Sequence, residues 1–271
     1  MRAKVGATLW QLRHICPVLK LRWIGLGLVL ASCTAQAQVV NVERLRLDEQ
    51  VDGYSGSVAG NVDLRQNQRR VFTAGLKAHV QLQRDSNTTL LVAQTGLVKA
   101  SGSDFVNFAF AHLRRTQHLR TGLAGEAFTQ LQQNRVNGIA SRWLIGAGLR
   151  VRLLDAPNAA LYVGSLLMHE REVETNDAIA VHQNWRLSNY LAASYTPRKA
   201  EWLSLTTTTY YQPRLGKWAD FRMASESNLQ VEVTKRLALT TTFNLFYDAR
   251  PPLGLERTTF ALLNGFKWTF G

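Results

Sequence analysis

The chain has 271 residues and carries 32 Lys or Arg against 19 Asp or Glu, a formal net charge of +13. That length allows one large all-β domain or two small ones. Both cysteines, Cys16 and Cys33, fall near the amino terminus, so the body of the chain offers no disulfide scaffold, thiol nucleophile or cysteine metal site.

Residues 1–37 read as a secretory signal peptide. Arg2, Lys4, Arg13, Lys20 and Arg22 make a basic leader without an acid, Trp23 to Leu30 is a short apolar run, and Ala35-Gln36-Ala37 supplies the small residues of a cleavage site. Cleavage after Ala37 removes those five charges and leaves 13 − 5 = +8. A competing reading takes Leu30-Ala31-Ser32-Cys33 as a lipobox, with Cys33 acylated. Residues 38–52 form a short polar lead to the body, 53–271. No run in that body has the apolar length of a membrane helix, so a membrane protein with this sequence must cross as a closed barrel.

Within the body, large apolar residues alternate with polar or small ones in about twelve runs, the period of a strand with two different faces. The first sets Tyr54, Val58, Val62 and Leu64 against Ser55, Ser57, Asn61 and Asp63; the second sets Phe72, Leu76 and Val80 against Thr73, Lys77 and His79. The third, Leu90 to Val98, is less regular, and the fourth covers Val106 to Ala111. The fifth begins at Leu119 and sets Leu123, Ala127 and Leu131 against Arg120, Glu126 and Gln130. In the sixth, Trp143, Ile145, Leu149 and Val151 oppose Arg142, Arg150 and Arg152. The seventh runs from Leu161 to His169, the eighth from Trp185 to Tyr195 with Arg186 on its polar face, and the ninth from Trp202 to Gln212. The tenth opposes Phe221, Met223 and Leu229 to Asp220, Arg222 and Glu226; the eleventh opposes Leu237, Phe243 and Tyr247 to Thr240, Asn244 and Asp248.

The twelfth run alternates Phe260, Leu262, Phe266, Trp268 and Phe270 with Ala261, Gly265 and Lys267. Its Gly265, Trp268 and Phe270 resemble the carboxy-terminal signal of outer-membrane barrels, which implies the barrel-assembly machinery as a partner. Gly271 after the final Phe departs from that pattern. Tight connections are expected at Arg84 to Asn87, Arg114 to His118, Asp155 to Asn158, Thr196 to Lys199 and Thr234 to Arg236, alternating with longer loops such as Arg171 to Gln183 and Ala249 to Arg257. The fold predicted is all-β: a transmembrane, antiparallel, up-and-down β-barrel of about 12 strands.

On that fold the polar face lines a lumen. Its charged candidates are Lys77, Arg120, Glu126, Arg142, Arg150, Arg152, Glu170, Arg186, Asp220, Arg222, Glu226, Asp248 and Lys267. They either pair with one another and fill a narrow bore or leave an arginine-rich path that favours anions. About eight strands are filled by side chains and about sixteen leave a channel; twelve lies between. The histidines are scattered over separate runs, and no GxSxG or HExxH spacing marks a catalytic or metal site. A hydrolase therefore stands third, and we expect no cofactor. The basic loop set Arg65, Arg69, Arg70, Arg135, Arg214, Lys217, Arg250 and Arg257 suits outer-membrane lipid, including lipopolysaccharide phosphates, rather than nucleic acid. Trp202, Trp218, Trp268, Tyr195, Tyr211 and Tyr247 lie where an aromatic girdle belongs.

Phe128 to Gln132, Leu144 to Leu149, Trp185 to Leu191, Tyr210 to Pro213, Asp220 to Arg222 and Pro251-Pro252, in that order and spacing, resemble the domain of unknown function 481 family over roughly Gly53 to Phe270. The resemblance implies an outer-membrane barrel of a Gram-negative envelope and, from members described as salt-induced, a part in salt or osmotic response. It implies no catalytic or ligand residues.

Overall fold

A computed structural model describes residues 52–66, 70–100, 103–175, 181–252 and 254–268. The signal-peptide and lipobox readings, most of the lead, Arg69 and Phe270 lie outside them. Twelve strands follow one another: β1 (Gly53–Gln66), β2 (Arg70–Arg84), β3 (Asn87–Ala100), β4 (Ser103–Arg120), β5 (Leu123–Asn134), β6 (Ile139–Ala156), β7 (Ala159–Glu174), β8 (Val181–Tyr195), β9 (Leu203–Arg214), β10 (Lys217–Glu232), β11 (Leu237–Asp248) and β12 (Thr258–Trp268). Each pairs antiparallel with the next, giving one sheet in the order of the sequence.

Three expectations are corrected. Among the described residues no pairing joins β1 to β12, so the sheet is open along that seam rather than closed. β4 also continues through the segment read as a turn. Arg114, Thr116 and His118 are strand residues, and Leu119 and Arg120, assigned to the fifth run, end β4 instead. The reason is local chemistry. Arg114 and Thr116 point inward to Glu126, and Arg115 points outward to the Thr89 hydroxyl at 3.2 Å. With partners on both faces, a polar stretch holds strand geometry. The alternation of short and long connections is also imperfect: β9 and β10 are joined by Leu215-Gly216 alone, whereas residues 196–202 separate β8 from β9.

The sheet curls with its charged face concave. Tyr190 on β8 reaches Glu126 on β5 at 2.7 Å, and Arg222 on β10 reaches Glu170 and Glu172 on β7. Loops half the sheet apart also touch. A Cβ on Gly138, between β5 and β6, would lie 3.2 Å from Leu255 Cδ1 and 3.4 Å from Pro252 Cβ in the β11–β12 loop. Glycines let large rings lie flat on this face. Gly146 pairs with Phe128, and Gly164 pairs with Tyr190, where a Cβ would fall 2.7 Å and 2.1 Å from the respective ring. These rings, with Leu144, Tyr162, Leu166, Met168 and Tyr210, form an apolar layer inside the curl. A smaller cluster, Leu90, Val92 and Phe110, lines β3 and β4.

The buried ion-pair clusters and the family

The largest group of buried charge lies where β6, β8 and β10 begin and β7, β9 and β11 end. Strand alternation puts Arg142, Glu170, Glu172, Arg186, Asp220, Arg222 and Asp248 on the concave face. Arg142 donates to Glu172 from Nε and Nη2, both at 2.6 Å. Arg222 binds Asp248 at 2.8 Å through Nε, Glu172 at 3.1 Å through Nη2, and Glu170 through Nη1. Arg186 donates to Glu170 at 3.3 Å and to Asp220 at 2.9 Å, and also reaches the backbone carbonyls of Gln212 and Asp220. Asn184 adds a bond to Glu170 at 3.3 Å, and half-buried Arg214 approaches the other Asp220 oxygen at 3.4 Å. Four arginines thus meet four carboxylates, and the cluster is neutral.

A second cluster sits nearer the opposite end of the strands. Glu126 lies between Arg114, at 3.5 Å, and Arg150, at 3.6 Å, and accepts from Tyr190 Oη and Thr116 Oγ1. The Arg150 guanidinium lies 4.0 Å from the Tyr162 ring centroid, and Arg114 faces Phe128 and Tyr190. Ring faces carry partial negative charge, so they solvate the cations where water is excluded. The apolar layer separates the two clusters.

The lumen candidates divide accordingly. Glu126, Arg142, Arg150, Glu170, Arg186, Asp220, Arg222 and Asp248 are buried on the concave face in these two clusters. Arg152 is partly exposed and pairs with Asp155. Glu226 is half-buried, whereas Lys77 and Arg120 are exposed. Lys267 stands opposite Ala238 in the β11–β12 register, and its side chain lies outside the described residues. Arg114 and Glu172 were missed because both fall in stretches read as connections. A longer seventh strand puts Glu172 on the face of Glu170, whereas Arg114 shares its face with buried Phe110, and no alternation in the sequence marks that face of β4 as the inner one.

The histidines do not converge. His112 stacks between Phe110 and Phe128, His169 lies edge-on to Trp185, and His182 meets Glu174 at 3.0 Å. Ser57 Oγ lies 3.0 Å from His79 Nδ1 across β1 and β2. Among the described residues, no three His, Cys, Asp or Glu side chains are grouped to hold a metal ion.

The convex face is the reverse of the concave one. Trp143, Ile145, Leu167, Trp185, Leu191 and Phe260 are exposed there, Trp185 at 53% and Phe260 at 73%, while Arg186 and Glu170 beneath are 2% exposed. Among solved structures the chain is similar to a NanC porin, at 8% identity and TM-score 0.46, covering 78% of this chain and 100% of that one. It is also similar to a bacterial polysaccharide outer membrane secretin, at 9% identity and TM-score 0.44, covering 80% of this chain and 81% of that one. No curated protein sequence matches it. The family model described as "Protein of unknown function, DUF481" matches residues 98–270, more than half of the chain, and the protein therefore belongs to the DUF481 family.

Proposed function

We propose that this protein is a β-barrel of the Gram-negative outer membrane whose interior is filled by ion pairs over β4 to β11. The observation that carries this reading is the inversion of polarity: rings and aliphatic side chains face out, and guanidinium and carboxylate groups are buried. In water such a surface drives association; in lipid it is the stable arrangement, with hydrogen-bonding groups turned away from the hydrocarbon.

Three further features support lipid as the outer medium. Outward aromatics cluster toward both ends of the strands. Tyr211, Phe221 and Tyr247 pack ring to ring near one end with Trp143 and Trp185, and Tyr195 and Trp202 stand at the other. Trp185 and Tyr195 are ten residues apart on β8, which is about 33 Å along a strand and about 25 Å in height at a tilt of about 40°, the depth of an outer-membrane apolar band. Outward hydroxyls and amides also bond to each other: Ser165 with Asn189 at 2.7 Å, Thr207 with Ser227 and Thr209 with Ser225 at 2.9 Å, and Thr241 with Asn264 at 2.8 Å.

The pairing of Arg142, Arg186 and Arg222 supports a filled bore over an anion-selective path, because a guanidinium locked on carboxylates has little charge left for a passing ion. At the loop end, Arg135, Lys217, Arg250 and Arg257 are proposed to meet lipopolysaccharide phosphates, Arg214 being held on Asp220, and the assembly machinery is proposed to read the terminal strand. A part in salt response rests on the family resemblance and is tested by whether loss of the protein changes growth across added sodium chloride.

Two measurements test the main reading. Membrane-extracted protein should run faster on a denaturing gel before heating than after, and purified protein in planar bilayers should give no steady current above background. Recovery as a water-soluble periplasmic monomer would overturn the barrel, and steady anion-selective current would overturn the filled bore.

A further inference from the structure

The free edges at the two ends of the sheet carry enough information to assign their partner. We infer that the outer edge of β1 is the docking surface for β12 of the same chain, in one register: Phe260 opposite Leu64, Leu262 opposite Val62, Asn264 opposite Gly60 and Phe266 opposite Val58. The inference rests on the barrel reading above and adds how the cylinder closes.

The first argument is curvature. The β5–β6 and β11–β12 loops, half the sheet apart, already touch through Gly138, Pro252 and Leu255. The sheet is therefore strongly bent over β6 to β11, the curl that closing the remaining strands would continue. Both edges are long, with 14 residues in β1 and 11 in β12. Unpaired backbone N–H and C=O groups along such edges cost several kcal/mol each in lipid, about the penalty for an unsatisfied polar group in hydrocarbon.

Faces then exclude half of the registers. On β1 the even-numbered Tyr54, Val58, Val62 and Leu64 form the apolar set, and on β12 Phe260, Leu262 and Phe266 are also even-numbered and exposed. Only registers that pair even with even keep both apolar sets on the lipid side, because a slip of one residue reverses a face.

The existing pairings turn each candidate register into a shear. From Tyr54 the cross-strand partners run through Leu82, Thr89, Arg115 and Ala127. They continue through Ala147, Leu167 and Leu187 and on to Pro213 and Phe221. From there they cross to Ala249 and return at Glu256, two residues before β12. Setting Phe266 opposite Val58 puts Glu256 level with position 68, a shear of 68 − 54 = 14. Twelve strands at that shear tilt by about 39°, from a rise of about 3.3 Å and a spacing of about 4.8 Å, inside the usual range for barrels.

Side-chain matching separates this register from those two residues away. In the proposed one, Thr258 aligns with Gln66 at the strand ends, three large apolar pairs form on the outside, and polar Asn264 meets Gly60. Sliding β12 one way puts Asn264 against Val58 and Leu262 against Gly60. Sliding it the other way puts Phe260 against Gln66 and Asn264 against Val62. Each forms two large apolar pairs in place of three and sets more large residues against polar or glycine positions than the proposed register, where Trp268 against Gly56 is the one such mismatch. Cross-strand pairs on a shared face carry much of a sheet's stabilisation.

Double-cysteine variants test the register in the membrane-inserted protein, with Cys16 and Cys33 replaced by serine. V62C/L262C outside and D63C/A261C inside should form disulfides within one chain on mild oxidation. V62C/F260C and V62C/N264C should not, because diagonal neighbours lie about 7–8 Å apart, beyond easy bridging. Linked tryptic peptides identify the bond, and the heat-dependent gel shift of each reduced variant shows whether it has folded. Preferential linkage in a shifted pair, or between two chains, overturns the inference while a retained heat shift leaves the barrel standing. Loss of the shift in the cysteine-free parent, with the protein soluble, sinks both.

Discussion

Glu170 is the residue on which the larger cluster turns. One carboxylate accepts from Arg222, Arg186 and Asn184, and Arg142 lies 3.9 Å away. Bringing these ions together out of water costs several kcal/mol each, and the cost is offset only while every charge has its counterpart. Glu170→Gln removes the charge with almost no change in volume, leaving the arginines with one carboxylate too few. We expect it to lower stability by about 3–5 kcal/mol, the range for breaking a buried pair from one side, read as a shift in urea midpoint at constant m-value. Tyr190→Phe removes a single bond from a neutral donor to the Glu126 carboxylate, and about 1.5–3 kcal/mol is expected on the same measurement. An equal loss in both variants would mean that the Glu170 site is no more interdependent than a single hydrogen bond.

At the scale of strands, the outward alternation was legible because large apolar residues recur at every second position of the convex face in most runs, as in Trp143, Ile145, Leu149 and Val151 of β6. The inner half is less legible. The concave face mixes Arg142, Leu144, Gly146, Gly148 and Arg150 on one strand, and no periodicity says which inner residues form charge clusters and which form the apolar layer between them. That depends on residues from β5, β7, β8 and β10 meeting at one depth, set by register rather than by any one strand. β4 shows the same limit: Arg114 to His118 has the composition of a turn and becomes strand because Glu126 and Thr89 supply partners from either side. Gly164 tests how tightly inner positions are shaped. Its Cβ would fall 2.1 Å from the Tyr190 ring directly across the ladder, so Gly164→Ala should cost about 1–3 kcal/mol, as for overpacking elsewhere. In a Tyr190→Ala background the same substitution should cost much less, because the clash and its partner are removed together. Additive losses in that double-mutant cycle would show that Gly164 is required by its backbone rather than by the ring above it.

For the molecule as a whole, the deciding matter is what the convex face touches, and depth along the strands provides a measurement of it. Leu167 is exposed in the middle of β7, between Ala147 and Leu187 on the neighbouring strands, and Leu153 is exposed close to the end of β6. If water bathed both, an arginine at either position would be an ordinary surface substitution, worth within about 0.5 kcal/mol. Against hydrocarbon the two sites diverge. An arginine near the midplane of a barrel costs about 2–4 kcal/mol, and one near the interface about 0–1 kcal/mol, where its guanidinium can reach headgroups. Leu167→Arg should therefore unfold at markedly lower urea in lipid vesicles while Leu153→Arg stays close to the parent. The difference should also depend on bilayer thickness, growing in longer-chain lipids as position 167 moves further from any headgroup. Neither the buried ion pairs nor the ring–glycine contacts are touched by these substitutions, so the result reports the outer medium alone. Equal, small effects at both sites would place the rings of β6 to β12 against something other than lipid.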